Sequence, residues 1–271
     1  MARQFGYRHG ISVLQIVAFS FTLPCAVWMA CTRRNGWFGI GGLSIIRLVG
    51  ASCLLATLSN NSRRVWAGAY VCENLGIALL TFLLLGILER ANRHAKFVHR
   101  WAFSVPYTVS WAGMGVSVGE FITASRRPDD DDATLNGWGL AGTIMFLLFF
   151  VTTSALAAVF FRRRAELPDG ERAQVKCVAA ACLPAMVVRI VYSLVGRFPG
   201  PARGVFSPIR GDPTAYLLMT ALPELLVVGA CTAVILRHGR DWRVYYKSAA
   251  SEEVVHGDQD GLDLRSSSGR V

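Results

Sequence analysis

Five charged residues lie inside apolar stretches that are each about as long as a membrane span. The stretches cover residues 11–31, 37–58, 65–88, 101–124, 138–161, 177–196 and 215–236, and the charges within them are Arg47, Glu73, Glu120, Arg189 and Glu224. About 20 apolar residues are enough for a helix to cross a bilayer. A charged side chain at the bilayer centre costs about 2.5–3.5 kcal/mol, so such residues persist mainly where they face a bundle interior. The pattern predicts an all-α, polytopic membrane protein, a bundle of seven transmembrane helices with a polar interior.

The distribution of the other residues also favours a membrane protein over a soluble one. The 271 residues are 53% hydrophobic, and the apolar ones are gathered into long runs. The net charge of +10 suggests a nucleic-acid partner at first sight. The Lys and Arg residues lie in the connectors, however, where membrane topology explains them. We therefore predict a transmembrane domain over residues 1–247, a disordered cytoplasmic tail over 248–271, contact with the lipid bilayer and no nucleic-acid partner.

Cysteine and histidine residues show no metal-binding pattern. All seven Cys lie within or at the ends of apolar stretches, and the five His lie in connectors and tails. Four consecutive aspartates at 129–132 have the charge to bind a cation, but a solvated loop is the preferred interpretation. We expect no metal and no cofactor.

The connectors of the predicted bundle differ in positive charge. The N-terminus with connectors two, four and six carries nine Lys and Arg residues, whereas connectors one, three and five with the start of the tail carry fifteen. Positive charge accumulates on the cytoplasmic side of membrane proteins. We therefore predict a cytoplasmic C-terminus and a lumenal N-terminus in the endoplasmic reticulum or another endomembrane.

Four of the five intramembrane charges are predicted to lie at a similar depth. Helices rise about 1.5 Å per residue, which places Glu73, Glu224, Arg47 and Arg189 about 12–18 Å from a membrane surface. In a hydrocarbon core of about 30 Å this is close to the midplane. The four charges therefore predict a polar pocket that is open to the lumen or sealed within the bundle.

Three further residues belong to the same predicted site. Tyr192 follows Arg189 by three residues and shares its helix face, Asn74 follows Glu73, and Glu120 lies nearer the lumenal mouth. Residues expected to bind or orient a substrate are Arg47, Asn74, Glu120, Arg189 and Tyr192.

Two interpretations of these charges remain open. In the first, the two arginines pair with Glu73 and Glu224 and hold the helices together without chemistry. In the second, three glutamates face two arginines, and the carboxyl group left without a counter-charge keeps its proton, because burial disfavours the charged form. A neutral acid in a dry pocket can protonate an alkene or an epoxide, and Glu73 and Glu224 are then the catalytic residues. Aromatic faces available to stabilise the resulting carbocation are those of Tyr70, Tyr107, Trp111 and Tyr192.

Short motifs make the chain resemble a fungal family of seven-helix membrane proteins. They are HGISVLQ at 9–15, RLVGAS at 47–52, ENLGIALL at 73–80, RIVY at 189–192 and PE at 223–224, and the likeness covers about residues 7–245. That family is similar to the membrane-bound terpene cyclases of fungal meroterpenoid biosynthesis, of the ascofuranone and macrophorin type. The resemblance implies an enzyme of secondary metabolism, a terpene cyclase of the isomerase or lyase class. Its substrate would be a hydrophobic small molecule, a prenylated aromatic compound or its terminal epoxide, which it protonates and cyclises.

Two other functions remain open. Seven helices with a lumenal or external N-terminus suit a receptor or sensor, and a ligand-dependent signal would favour it. A small proton-coupled transporter would use Glu73 or Glu224 as a proton relay. Transporters often contain repeated halves with matching broken helices, and the sequence shows no such repeat.

Overall fold

The structure, a computed structural model, describes residues 6–32, 36–59, 62–126, 137–197, 206 and 211–238. Within these ranges the chain forms seven long helices and no strand. They are α1 (Tyr7–Cys31), α2 (Trp37–Ala56), α3 (Arg63–Ala95), α4 (Trp101–Arg126), α5 (Gly137–Arg162), α6 (Asp169–Cys177, Val178–Cys182 and Leu183–Arg197) and α7 (Pro213–Tyr216, Leu217–Ala221 and Leu222–His238). The all-α class is confirmed. The predicted tail at 248–271 and the aspartates at 129–132 lie outside the described residues.

Six of the seven helices are long and apolar enough to cross a membrane, namely α1, α2, α3, α5, α6 and α7. α4 has 26 residues, a sufficient length, but its Ser, Thr and Gly residues lower its hydropathy. Many large apolar side chains face outward, among them Phe21, Val151 and Leu218, which are more than half exposed. An apolar exterior of this extent is what a lipid-facing surface requires. These features are those of an integral membrane protein.

α3 is the central helix of the bundle. In its most apolar window 78% of the residues are buried, against 44% or less in the other five candidate spans. It packs against α2, α4, α5, α6 and α7, while α1 packs against α2 and α7. Leu80, Leu84 and Leu88 of α3 are fully buried and form part of the apolar core. A charge on the inward part of α3 therefore has no access to lipid and must find partners on neighbouring helices.

Glycines allow α2 to approach α3 closely. A Cβ atom at Gly50 would lie 2.9 Å from Cβ of Cys72, and one at Gly39 would lie 3.2 Å from Cα of Leu83. Small residues at a helix interface are typical of membrane bundles, because they let backbones pack tightly. This contact brings Arg47, which lies between the two glycines, against α3.

The GxxxG pattern of Gly115 and Gly119 predicts close packing of α4, and this prediction is wrong. A Cβ at either glycine would have no atom of another helix within 4 Å in the part of the chain that the structure describes. The close contact of α4 with α5 lies instead at Gly113, where a Cβ would be 3.0 Å from the ring of Phe146. The spacing of two glycines does not by itself say which face of the helix meets a neighbour.

α6 and α7 each contain one irregular helical segment. Val178–Cys182 in α6 and Leu217–Ala221 in α7 are π-helical, and each is followed by a leucine and then by Pro184 or Pro223. A proline inside an α-helix has no N–H to donate, and its ring clashes with the carbonyl group four residues earlier. The wider π turn makes room for that ring. Such turns occur frequently at functional sites, and here they lie on the helices that carry Arg189 and Glu224.

Candidate functional site

Four of the predicted residues, from four different helices, meet inside the bundle. Arg47 on α2, Glu73 on α3, Arg189 on α6 and Glu224 on α7 are exposed by only 3%, 7%, 1% and 1%. We call these four residues the charge quartet. The expectation that they lie at one level and face one another is met by the structure.

Each arginine of the charge quartet bridges both glutamates. Arg47 donates through Nη1 to Oε2 of Glu73 and through Nη2 to Oε1 of Glu224. Arg189 donates through Nε to Oε1 of Glu224 over 2.9 Å and through Nη2 to Oε1 of Glu73 over 2.6 Å. Two positive and two negative charges thus form a closed, neutral unit. Removing one partner of a buried ion pair costs about 3–5 kcal/mol, so the unit also ties α2, α3, α6 and α7 together.

Two further contacts hold the Arg189 side chain in place. Its Nη1 donates to the hydroxyl oxygen of Ser193 over 2.6 Å, one helical turn along α6. Its Nη2 also donates to the backbone carbonyl oxygen of Glu73 over 3.0 Å. All three nitrogen atoms of the guanidinium group are therefore engaged, which fixes its orientation towards Glu73 and Glu224.

A chain of hydrogen bonds joins the charge quartet to α1. The Tyr216 hydroxyl donates to Oε2 of Glu73 over 3.0 Å, and Nε2 of Gln15 donates to the Tyr216 oxygen over 3.2 Å. Both side chains are buried. Tyr216 is positioned by the start of α7, where the Asp212 carboxylate accepts from the Thr214 N–H over 3.0 Å and a proline occupies the first helical position.

Sequence reasoning missed Tyr216 and Gln15. Neither is charged, so neither carries the insertion cost that marks the charge quartet. A signal was nevertheless available, because Tyr216 precedes Glu224 by eight residues, about two helical turns, and so lies near the same side of α7.

One carboxylate oxygen of the charge quartet differs from the other three. Oε2 of Glu224 is buried and has no hydrogen-bond partner among the described residues, whereas Oε1 of the same group accepts from both arginines. The hydroxyl of Thr220, one turn earlier on α7, is also buried and has no partner within the described ranges. A buried polar atom left unsatisfied costs about 1–3 kcal/mol. Glu224 Oε2 is therefore the atom that can accept a proton or a donor group of a ligand.

The other predicted residues lie beside the charge quartet or apart from it. Tyr192 is 1% exposed, its ring centroid is 6.4 Å from that of Tyr216, and its hydroxyl has no partner in the described part of the chain. Asn74 is 7% exposed, and its Nδ2 is likewise without a partner there. Glu120 is half-buried on α4, a helix that contributes no member of the charge quartet. Two glutamates, not three, therefore face the two arginines.

Two aromatic residues expected at the site lie elsewhere. Tyr107 stacks on Phe82 with ring centroids 5.2 Å apart, and its hydroxyl donates to Oε2 of Glu89 over 3.3 Å. Trp111 is 57% exposed on the outside of the bundle. Tyr192 and Tyr216 place aromatic rings beside the charge quartet, and the prediction for Tyr107 and Trp111 is wrong.

The groups gathered at this site limit what it can do chemically. They are guanidinium donors, one unsatisfied carboxylate oxygen and two phenols. Together they can move a proton, donate hydrogen bonds to oxygen atoms of a ligand, or hold an anion. Within the described residues, no three His, Cys, Asp or Glu side chains are grouped as a metal site.

Comparison with known proteins assigns the chain to a family. Residues 5–240 match the model of a family described as a domain of unknown function, DUF7702. No curated protein and no solved structure matches the chain. The matched range includes every residue of the charge quartet, together with Tyr216 and Gln15.

Proposed function

The chain belongs to the DUF7702 family, and we propose that it is a membrane-embedded terpene cyclase of fungal secondary metabolism. The proposed substrate is a prenylated aromatic compound or its terminal epoxide. The enzyme protonates this molecule and so starts ring formation. The observation that supports the proposal is a buried carboxyl group, Glu224, with one oxygen atom that no donor among the described residues satisfies.

Glu224, and not Glu73, is the proposed proton donor. Both oxygens of Glu73 accept bonds from arginine, and Oε2 also accepts one from Tyr216. A proton on Glu73 would displace at least one of these donors. A proton on Glu224 Oε2 would leave both bonds to its Oε1 in place. The two glutamates therefore have different roles: Glu73 holds the arginines in position, and Glu224 carries the proton.

The proposed proton transfer needs no further reactant. The O–H bond at Glu224 Oε2 breaks as a C–H bond forms at an alkene carbon, or as the epoxide oxygen takes the proton and its C–O bond opens. The carbocation closes a ring with a second alkene and then returns a proton to the Glu224 carboxylate, so the substrate is isomerised and the acid is regenerated. With the proton on Glu224 the charge quartet carries one net positive charge, and transfer of that proton restores the neutral unit, in which Arg47 and Arg189 stabilise the Glu224 carboxylate.

The placement of the enzyme in its membrane is part of the proposal. α4 also crosses the membrane and brings the number of spans to seven. The N-terminus is lumenal and the C-terminus is cytoplasmic, in the endoplasmic reticulum or another endomembrane. A prenyl chain partitions into lipid, so a site within the bundle receives its substrate from the bilayer. Arg47, Asn74, Arg189 and Tyr192 orient oxygen groups of the substrate, while Glu120 lies nearer the mouth.

A second candidate is a proton-coupled transporter, and two observations favour it. The chain of hydrogen bonds from Gln15 through Tyr216 and Glu73 reaches Glu224 by way of Arg47, so both carboxyl groups that could carry a proton belong to one polar network across four helices. α6 and α7 also carry matching π-helical segments before a proline. Interrupted helices around a polar midplane site are common in transporters.

Product analysis with matched variants tests the cyclase. Microsomes that contain the protein are given a farnesylated phenol or its terminal epoxide, and cyclised products are measured. Glu224→Gln should lower product formation at least about 100-fold, since a general acid contributes about 10²–10⁴ in rate. Glu166→Gln, a change at an exposed turn, should keep wild-type activity, and both proteins should be equally abundant.

Two results would count against the cyclase. If Glu224→Gln forms product at the wild-type rate, the proton does not come from Glu224. If the wild type leaves both substrates unchanged but moves protons across reconstituted vesicles in a Glu224-dependent way, the transporter is correct.

A further inference from the structure

A second site lies at the C-terminal end of α3, where the chain turns into α4. A cleft of about 390 Å³ opens there between the two helices. Its lining includes Arg93, Arg100, Trp101, Ser104 and Tyr107. None of these residues takes part in the charge quartet, so this site is independent of the proposed cyclase chemistry.

The turn that shapes the cleft is held by one side chain. Oδ1 of Asn92 accepts from the backbone N–H of Val98 over 2.9 Å, and Nδ2 of Asn92 donates to the backbone carbonyl oxygen of Val98 over 2.7 Å. Lys96, between them, has a φ of 50°, the left-handed conformation that ends α3. Two hydrogen bonds across the turn fix the path from α3 to α4, so the cleft is preformed.

The cleft has one arginine whose charge is already compensated and one whose charge is not. Glu89 accepts from Arg93 over 3.2 Å and from the Tyr107 hydroxyl over 3.3 Å, which uses both of its oxygens. Arg100 is exposed and forms no ion pair with the described residues. Arg100 is therefore available to a negatively charged ligand.

The surroundings of the cleft add positive charge and an apolar surface. Lys96 is exposed in the same turn, and the Arg163 guanidinium lies 5.3 Å from the ring centroid of Phe97. Trp101 is 61% exposed at the first position of α4. Exposed tryptophans at helix ends are typical of the membrane–water interface. A ligand here would meet cations at its polar end and lipid or an indole ring beside it.

We propose that this cleft binds a phosphate group, carried either by an anionic lipid headgroup or by a soluble phosphate monoester. Arginine is suited to this task because its planar guanidinium can donate two parallel hydrogen bonds to a phosphate. The Ser104 hydroxyl, which donates to the Arg100 carbonyl oxygen over 3.5 Å, becomes a third donor when it turns from that oxygen to the phosphate. A zwitterionic headgroup brings its own cation into the basic cleft and binds less well.

Native mass spectrometry of the purified protein with short-chain ligands tests this site. The probes are dioctanoyl phosphatidic acid, dioctanoyl phosphatidylcholine and glycerol 3-phosphate. Wild type should retain phosphatidic acid, and Arg100→Gln should bind it about tenfold more weakly. Arg237→Gln removes the same charge from an exposed position on α7 and should bind like the wild type. Arg93→Gln tests a second residue of the cleft and should weaken the binding of phosphatidic acid moderately.

The three probes separate the two sources of phosphate. Retention of phosphatidic acid alone identifies a lipid headgroup, whereas equal binding of glycerol 3-phosphate identifies a soluble ligand. The proposal is overturned if phosphatidylcholine binds as well as phosphatidic acid, or if Arg100→Gln and Arg237→Gln bind phosphatidic acid equally. The melting temperature without lipid confirms that each variant is folded.

Discussion

Gly76 lies against the guanidinium group of Arg47, one helical turn after Glu73. A Cβ atom at residue 76 would overlap Nη2 of Arg47 and lie 3.0 Å from its Cζ. α3 therefore supplies both the carboxylate that Arg47 bonds and the space that its side chain occupies. The geometry of the charge quartet therefore requires glycine at position 76 as well as its four charged residues.

The change Gly76→Ala should destabilise the protein, because the added methyl group pushes Arg47 away from Glu73 and Glu224. Breaking buried pairs costs about 3–5 kcal/mol, and the better helix propensity of alanine returns about 1 kcal/mol. The measurement is the thermal unfolding of the purified protein in detergent. Gly115→Ala is the control, since a Cβ there meets open space. Equal unfolding temperatures for the two variants would show that residue 76 does not face Arg47.

Glu73 and Glu224 should respond differently to the same substitution. Glu73→Gln puts an amide N–H₂ where an oxygen now accepts from arginine, so it should lower the stability by about 3–5 kcal/mol. Glu224→Gln can place its amide nitrogen at the unsatisfied Oε2 position and keep both bonds to Oε1, so its loss should be smaller. Unfolding temperatures of the two variants, measured side by side, test the difference. The reverse order would mean that Glu224, and not Glu73, is the main acceptor of the quartet.

The membrane character and the four charges of the quartet could be read from the sequence, for a physical reason. A charge in an apolar stretch carries a large cost, so its presence demands a partner, and counting residues along a helix gives its depth. Depth says nothing about which face of a helix points inward. Depth alone therefore groups Glu120 with the charge quartet, although α4 contributes no member to it, and the same reasoning assigns Tyr107 and Trp111 to a site that they do not reach.

The pairing pattern and its uncharged members could not be read in the same way. Whether each arginine meets one glutamate or both depends on the rotation of four helices about their axes, which no single stretch determines. Gln15 and Tyr216 are polar but uncharged, and such residues are common in membrane helices as bonding groups. The π-helical segments arise from a proline clash that a hydropathy pattern does not register.

The two tyrosines beside the charge quartet offer a matched pair of substitutions. Tyr216→Phe removes a hydroxyl that donates to Glu73 and accepts from Gln15, so it should cost about 1–3 kcal/mol. Tyr192→Phe removes a buried hydroxyl without a partner in the described residues, so it should leave the stability nearly unchanged or raise it. Denaturation in detergent at one pH measures both. A larger loss for Tyr192→Phe would contradict the assignment of Tyr216 as the link to α1.

The contact between α6 and α7 can be tested by disulfide formation without any knowledge of the activity. The sulfur atoms of Cys182 and Cys231 lie 3.7 Å apart, and both residues are buried. A disulfide needs its sulfur atoms about 2.05 Å apart, a distance that small side-chain rotations can reach from here. Diamide crosses membranes and takes up the two hydrogen atoms that the thiols lose, so it should link these cysteines in intact membranes. Peptide mapping without reductant should find Cys182 joined to Cys231, and Cys182→Ser should abolish that product. A linkage of either residue to Cys25 or Cys53 in its place would mean that α6 and α7 do not meet at this level, and that Arg189 and Glu224 are not held together as described.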